Sequence, residues 1–77
     1  MDDFKNIYLI LQPYYKAMDN DKWEPVEIPT PEELGISAAR RSALLRIIAM
    51  EKFVYKGLLT LKGLEFMYEY EKNQRIE

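Results

Sequence analysis

The chain contains no cysteine and no histidine, and only three of its 77 residues are glycine. Without cysteine there is no disulfide framework and no thiolate metal site. Without histidine the usual general base is missing, as is the commonest nitrogen ligand for zinc. Carboxylate, lysine or tyrosine chemistry remains open, but nothing in the sequence arranges it. Neither an enzyme nor a bound cofactor or metal is therefore expected. No apolar run approaches the length of a membrane span. The start, Met1-Asp2-Asp3, is acidic where a secretory signal needs basic residues. A cytoplasmic protein is the expectation.

What is present fits one small domain over residues 1–77. A hydrophobic fraction of 48% supports a modest core and argues against disorder. Six Tyr, three Phe and one Trp can fill that core or face a partner. The net charge is −2 and the pI about 5.2. Proteins that hold DNA phosphates usually show a basic excess, so any DNA contact here must come from a local patch.

The pattern of apolar residues predicts four helices. In the first, about 3–18, Phe4, Ile7, Tyr8, Leu11, Tyr14, Tyr15 and Met18 recur at helical spacing, with Asp2 or Asp3 as the cap. Leu9 and Ile10 lie off this stripe and widen it. Pro13 removes the bond to the carbonyl of Leu9, which predicts a kinked helix, with a break at Gln12 as the alternative. A connector from Asp19 to Pro29 follows, in which Trp23, Val26 and Ile28 can pack on the core as a short edge strand. Thr30-Pro31-Glu32-Glu33 is a helix start with a capping box, and Gly35 ends that helix, about 30–35. Ser37 caps the next, 37–51, whose buried face centres on Leu44, Leu45 and Ile48 with Ile47 at the flank. A short helix, a glycine turn and a longer helix make a helix-turn-helix pattern. Short strands fall within 53–60, one over Phe53 to Lys56 and one over Leu58 to Thr60, with Gly57 between them. Thr60 caps the last helix, 61–73. Its inward stripe reads as Leu61, Leu64, Met67 and Tyr68, while Phe66 and Tyr70 pair on another face.

The run Leu59-Thr60-Leu61-Lys62-Gly63-Leu64-Glu65-Phe66-Met67 resembles the "(I/L)T-x-K-G-x-x-(F/Y)" box that follows the wing of many winged-helix proteins. Together with Asp2-Asp3-Phe4-Lys5-Asn6-Ile7-Tyr8, Leu34-Gly35-Ile36-Ser37, Leu44-Leu45, Ile48 and Phe53-Val54, it makes residues 2 to 70 resemble the small YjcQ-type winged-helix proteins of low-GC Gram-positive bacteria and their prophages. The resemblance implies a mostly α, α+β winged helix-turn-helix with a minimal or absent wing hairpin. Two departures stand out. The family carries a longer hairpin where this chain has only Lys56-Gly57-Leu58, so either the wing is missing or a loop has been excised. The family also tends to have glycine at the position of Lys52, a site that often needs a left-handed backbone.

The resemblance implies that helix 37–51 is a recognition helix of a DNA-binding transcriptional modulator from a phage or mobile element. Ser37, Ala39, Ser42, Ala43 and Arg46 would then face the groove, and Arg40, Arg41, Lys52, Lys56 and Lys62 would hold phosphates. A helical wheel sets Ala39, Ser42, Ala43, Arg46 and Met50 opposite the buried stripe. Arg40 and Arg41 fall nearer the buried side, where one can snorkel or pair with Glu32 or Glu33. The small residues and Met50 equally suit a protein partner, so a winged-helix interaction module or inhibitor is the alternative. Glu24, Glu27, Glu32 and Glu33 read as helix-start charges favoured by the dipole, not as a metal site. Tyr8, Tyr14, Tyr15 and Tyr68 are expected in the core. Phe66 and Tyr70 are the candidates for a homodimer interface.

Overall fold

The computed structural model describes residues 3–18 and 26–75. Along them run α1 (Asp3–Met18), α2 (Pro31–Leu34), α3 (Ala38–Met50), β1 (Val54–Tyr55), β2 (Leu58–Leu59) and α4 (Leu61–Arg75). This is a mostly helical α+β fold with one two-stranded antiparallel sheet. Helix ends lie within two residues of those expected from sequence. Asp2, Trp23 and Glu24 lie outside the described residues. Val26 to Thr30 is irregular, not the expected edge strand, although Ile28 still packs on the core. Among the described residues no helix is long and apolar enough to cross a membrane.

α1 is the element that α3, β2 and α4 all touch. It runs unbroken through Pro13, so the break at Gln12 does not occur. Its buried arc is Asn6, Ile7, Ile10 and Leu11. Ile10, expected at the margin, is fully buried, whereas Phe4 and Met18, expected in the stripe, are 66% and 52% exposed. Both sit near the ends of α1, and Phe4 meets only the rim of α4, its ring centroid 6.2 Å from that of Phe66. Among the described residues no buried side-chain nitrogen or oxygen lacks a partner.

Local chemistry sets the ends of α2 and α3. Thr30 Oγ1 accepts from the Glu33 N–H and the Glu33 carboxylate accepts from the Thr30 N–H, which is the capping box. Gly35, at φ 70°, lets its N–H reach the Glu32 carbonyl while Ile36 N–H reaches that of Pro31. Ser37 Oγ accepts from Arg40 N–H to open α3. The far end of α3 repeats the reversal. Lys52 N–H donates to the Ala49 carbonyl and Phe53 N–H to that of Ile48, with Lys52 left-handed at φ 59°. The position where the resembled family favours glycine thus has the backbone that glycine suits.

A two-residue turn follows. Lys56 and Gly57 have φ 52° and 77°, the doubly left-handed pair that matches the twist of a tight hairpin. The turn is therefore Lys56-Gly57, not Gly57 alone, and each strand shrinks to two residues. Val54 pairs with Leu59 on the core side and Tyr55 with Leu58 on the outer side. A minimal hairpin is present.

α4 differs most from expectation. Leu61 and Tyr68 are 72% and 54% exposed, so neither lies on the inward face. That face is Gly63, Phe66, Met67 and Tyr70, with the expected Leu64 half-buried at its margin, so the stripe is turned by about one residue, ~100°, from the expected one. The cause is steric. A Cβ on Gly63 would stand 2.3 Å from the Phe53 carbonyl oxygen and 2.6 Å from Leu59 Cδ1, so Gly63 must face this contact. Met67, one turn on, is then 2% exposed. Phe66 packs on Phe53 with ring centroids 5.0 Å apart, and Tyr70 stacks on Tyr8 at 4.6 Å.

Gly63→Ala is expected to destabilise the protein by about 2–3 kcal/mol through overpacking against backbone that cannot retreat, read as a loss of urea midpoint. Lys52→Gly, by contrast, is expected to add about 0.5–1 kcal/mol by relieving a left-handed lysine, read as a rise in thermal midpoint.

Candidate nucleic-acid interface

The solvent side of α3 carries Ala39, Ser42, Ala43, Arg46 and Met50, all exposed as the helical wheel requires. Leu44 and Ile48 anchor the opposite side in the core. Small side chains leave this face slim enough for a DNA groove. Ser37 is exposed, but its hydroxyl is committed to the cap.

The six basic candidates divide by what already holds them. Arg40 Nη2 donates to both carboxylate oxygens of Asp3, at 2.7 and 2.8 Å, which ties α3 to the start of α1. Arg41 is half-buried and its Nε donates to the Pro29 carbonyl at 2.8 Å. Neither pairs with Glu32 or Glu33, so the expected partners are replaced by one residue distant in sequence and one backbone oxygen. Lys62 pairs with Glu51 at 3.0 Å and lies 5.9 Å from the Phe53 ring centroid. Lys56 sits in the hairpin turn with Nζ 5.4 Å from the Tyr55 ring centroid. The side chains of Arg46 and Lys52 have no hydrogen-bond or ion-pair partner among the described residues. The Arg40 and Lys62 pairs are solvent-exposed, so phosphate can compete for either cation at little cost.

Charge is sharply segregated along the chain. Between Gly35 and Leu64 there are six basic residues and one carboxylate, Glu51. The other 47 residues hold the remaining five basic and twelve acidic side chains. An acidic protein thus carries a basic block spanning α3, the hairpin and the first turn of α4. Reading net charge alone misses it, but a window along the sequence finds it.

The same block holds apolar side chains in water. Ile47, Met50, Tyr55, Leu58 and Leu61 are each more than 40% exposed. Tyr55 and Leu58 were not among the sequence candidates. Strand alternation marks them as outward once the turn is fixed at Lys56-Gly57. Phe66 and Tyr70, the candidate dimer residues, are half-buried and committed to rings within the chain. With Phe4 they line a shallow groove whose other walls are Glu69, Asn73 and Gln74.

Two groups away from the α3 face have shifted ionisation. Burial and a hydrogen bond donated to Glu71 at 2.8 Å raise the Tyr8 hydroxyl above its ordinary 10.0. The Thr30 backbone N–H, followed by its hydroxyl, lowers the Glu33 carboxyl below 4.5. Both serve the fold, one joining α1 to α4 and the other opening α2.

The division among the arginines is measurable without any ligand. Arg41→Ala is expected to cost about 1 kcal/mol, because it strands the Pro29 carbonyl at a partly buried position. Arg46→Ala is expected to stay within about 0.5 kcal/mol of the parent, as for an open surface site. Thermal denaturation of the two variants side by side checks this.

No protein-family model, curated protein or solved structure matches this chain.

Proposed function

We propose that the protein is a small winged helix-turn-helix that binds double-stranded DNA with the exposed face of α3, flanked by the β1–β2 hairpin. The observation that carries this reading is the basic block on an otherwise acidic chain. It coincides with α3, whose slim face is exposed while Leu44 and Ile48 enter the core, and with the hairpin. The order of three helices, a two-stranded hairpin and a last helix supports the winged-helix assignment. Ala39, Ser42, Ala43 and Arg46 meet base edges, Lys52 and Lys56 meet phosphates, and Arg40 and Lys62 join them by exchanging a carboxylate for a phosphate. The resemblance to YjcQ-type proteins adds a role in transcription, in the cytoplasm, for a phage or mobile element. Two copies on a symmetric site would double a patch that is small in one copy.

The exposed Ile47, Met50, Tyr55, Leu58 and Leu61 favour a second reading, in which the same face binds a protein. Salt separates the two. Fluorescence anisotropy of a labelled random duplex, titrated at about 50 and 200 mM salt, is expected to show affinity falling at least ten-fold between them. Lys52→Ala and Lys56→Ala should each lower the salt slope by about one if both side chains reach phosphate. A folded protein with no duplex binding at either salt overturns the proposal and leaves the protein-binding reading.

A further inference from the structure

Phosphate contact by α3 and the lysines that follow it leaves one feature without a role, the apex of the hairpin. Tyr55 and Leu58 are the residues immediately before and after the Lys56-Gly57 turn, and they are direct cross-strand partners. They are 61% and 62% exposed, whereas Leu59 on the inner side is 8% exposed. Single exposed apolar side chains are ordinary on any surface. An aromatic and an aliphatic side chain held opposite one another at an apex, with one cation in the turn and another at its base, form a shaped feature. The apex backbone is slim, since nothing lies within 4 Å of where a Cβ on Gly57 would stand. The doubly left-handed turn and the anchoring of Val54 and Leu59 in the core side keep it stiff.

The charge around the apex selects its occupant. Lys56 lies in the turn with its Nζ 5.4 Å from the Tyr55 ring centroid, Lys52 and Lys62 flank the hairpin in the chain, and the one carboxylate between Gly35 and Leu64, Glu51, is paired with Lys62. A partner that offers anionic walls and an apolar floor complements this, and a duplex groove with its stacked bases is such a surface. Paired strands lie about 4.8 Å apart before side chains are added, and a B-form minor groove is only about 6 Å wide. The apex can therefore enter only where the groove is opened by unstacking.

We infer that the hairpin is a wedge. With α3 in the major groove, Tyr55 and Leu58 enter the adjoining minor groove and part a base step, while Lys52 and Lys56 hold the flanking phosphates, so that the bound duplex is kinked. This rests on the duplex-binding proposal above. It adds a preference for deformable sequence, because pyrimidine–purine steps open more easily than stiff A-tracts.

Energy transfer between dyes at the two ends of a duplex of about 25 base pairs reports the bend, with anisotropy giving affinity on the same samples. Duplexes with a central TpA step and with an A-tract are compared for the parent, for Tyr55→Ser with Leu58→Ser, and for Lys56→Ala. The parent is expected to bend the TpA duplex and to bind it several-fold more tightly than the A-tract. The Tyr55→Ser/Leu58→Ser variant keeps its circular dichroism, since both side chains point outward. It should lose the bend and the step preference and bind about ten-fold more weakly, with an unchanged salt slope. Lys56→Ala should lower the slope by about one and keep the bend. A bend that survives the double substitution, or a parent that binds without bending, overturns the wedge and leaves duplex binding standing. A parent that binds no duplex overturns both. If phosphatidylserine vesicles then sediment the parent but not the double variant, the apex is a lipid contact instead.

Discussion

The close approach of α4 to the Phe53 carbonyl governs the second half of this molecule. Gly63 is the residue that permits it, because any side chain there would overlap that oxygen. Thr60 completes the joint. Its N–H donates to the Phe53 carbonyl, its hydroxyl faces the carbonyls of Lys52 and Phe53, and the same oxygen accepts from Gly63 N–H. The end of α3, the start of the hairpin and the cap of α4 therefore share one small set of hydrogen bonds. Once Gly63 faces Phe53, helical geometry alone directs Met67 into the core and Phe66 and Tyr70 onto Phe53 and Tyr8.

That joint also fixes what the molecule displays. The hairpin is too short to be stable by itself, and a lone two-stranded ribbon is marginal in water. It holds its shape because Leu59 and Phe53 are buried and because Thr60 ties its exit strand to its entry. α3 ends in the same cluster, so its exposed face and the hairpin are joined through one set of hydrogen bonds. Lys62 to Glu51 spans the joint from outside. On the duplex-binding proposal, a surface built this way would lose little conformational entropy on binding. The left-handed Lys52 and Lys56 are part of that arrangement, being the residues at which the chain reverses before and within the hairpin.

The features legible in the sequence are those decided by a few neighbouring residues. The capping box at Thr30, the caps at Ser37 and Thr60 and the stop at Gly35 each depend on three or four positions. The phase of α4 was not legible. Leu61, Leu64, Met67 and Tyr68 make as good a stripe by spacing as Gly63, Phe66, Met67 and Tyr70. Glycine adds nothing to a hydrophobic pattern, yet its missing side chain decides the matter. The burial of Ile10 over Phe4 likewise depends on packing between helices, which the spacing within α1 alone does not reveal. On the candidate face, the wheel gave the exposed residues of α3 correctly. The partner of Arg40 lies 37 positions away, and no local rule connects it to Asp3.

Net charge was the feature of the sequence that counted most against nucleic acid, and the fold shows why a sum is a poor guide. Ionic interactions in water fade over a Debye length of about 8 Å at physiological salt. The shortest principal extent of the protein is 22 Å. Carboxylates on one side therefore do little to a polyanion on the other. What reaches a ligand at α3 and the hairpin is the local set of cations, less the effect of the carboxylates beside them: Asp3 and Glu51, which pair with Arg40 and Lys62, and Glu32, which lines one shallow pocket with Ser37 and Arg40. On the duplex-binding proposal, the acidic remainder acts in a different way. Contact with DNA through the rest of the chain, with twelve acidic and five basic side chains, brings net negative charge against phosphates at contact distance, where screening is weakest. The excess of acid then does not oppose the interface but confines binding to it, so that a small cationic patch suffices to set one orientation on the duplex.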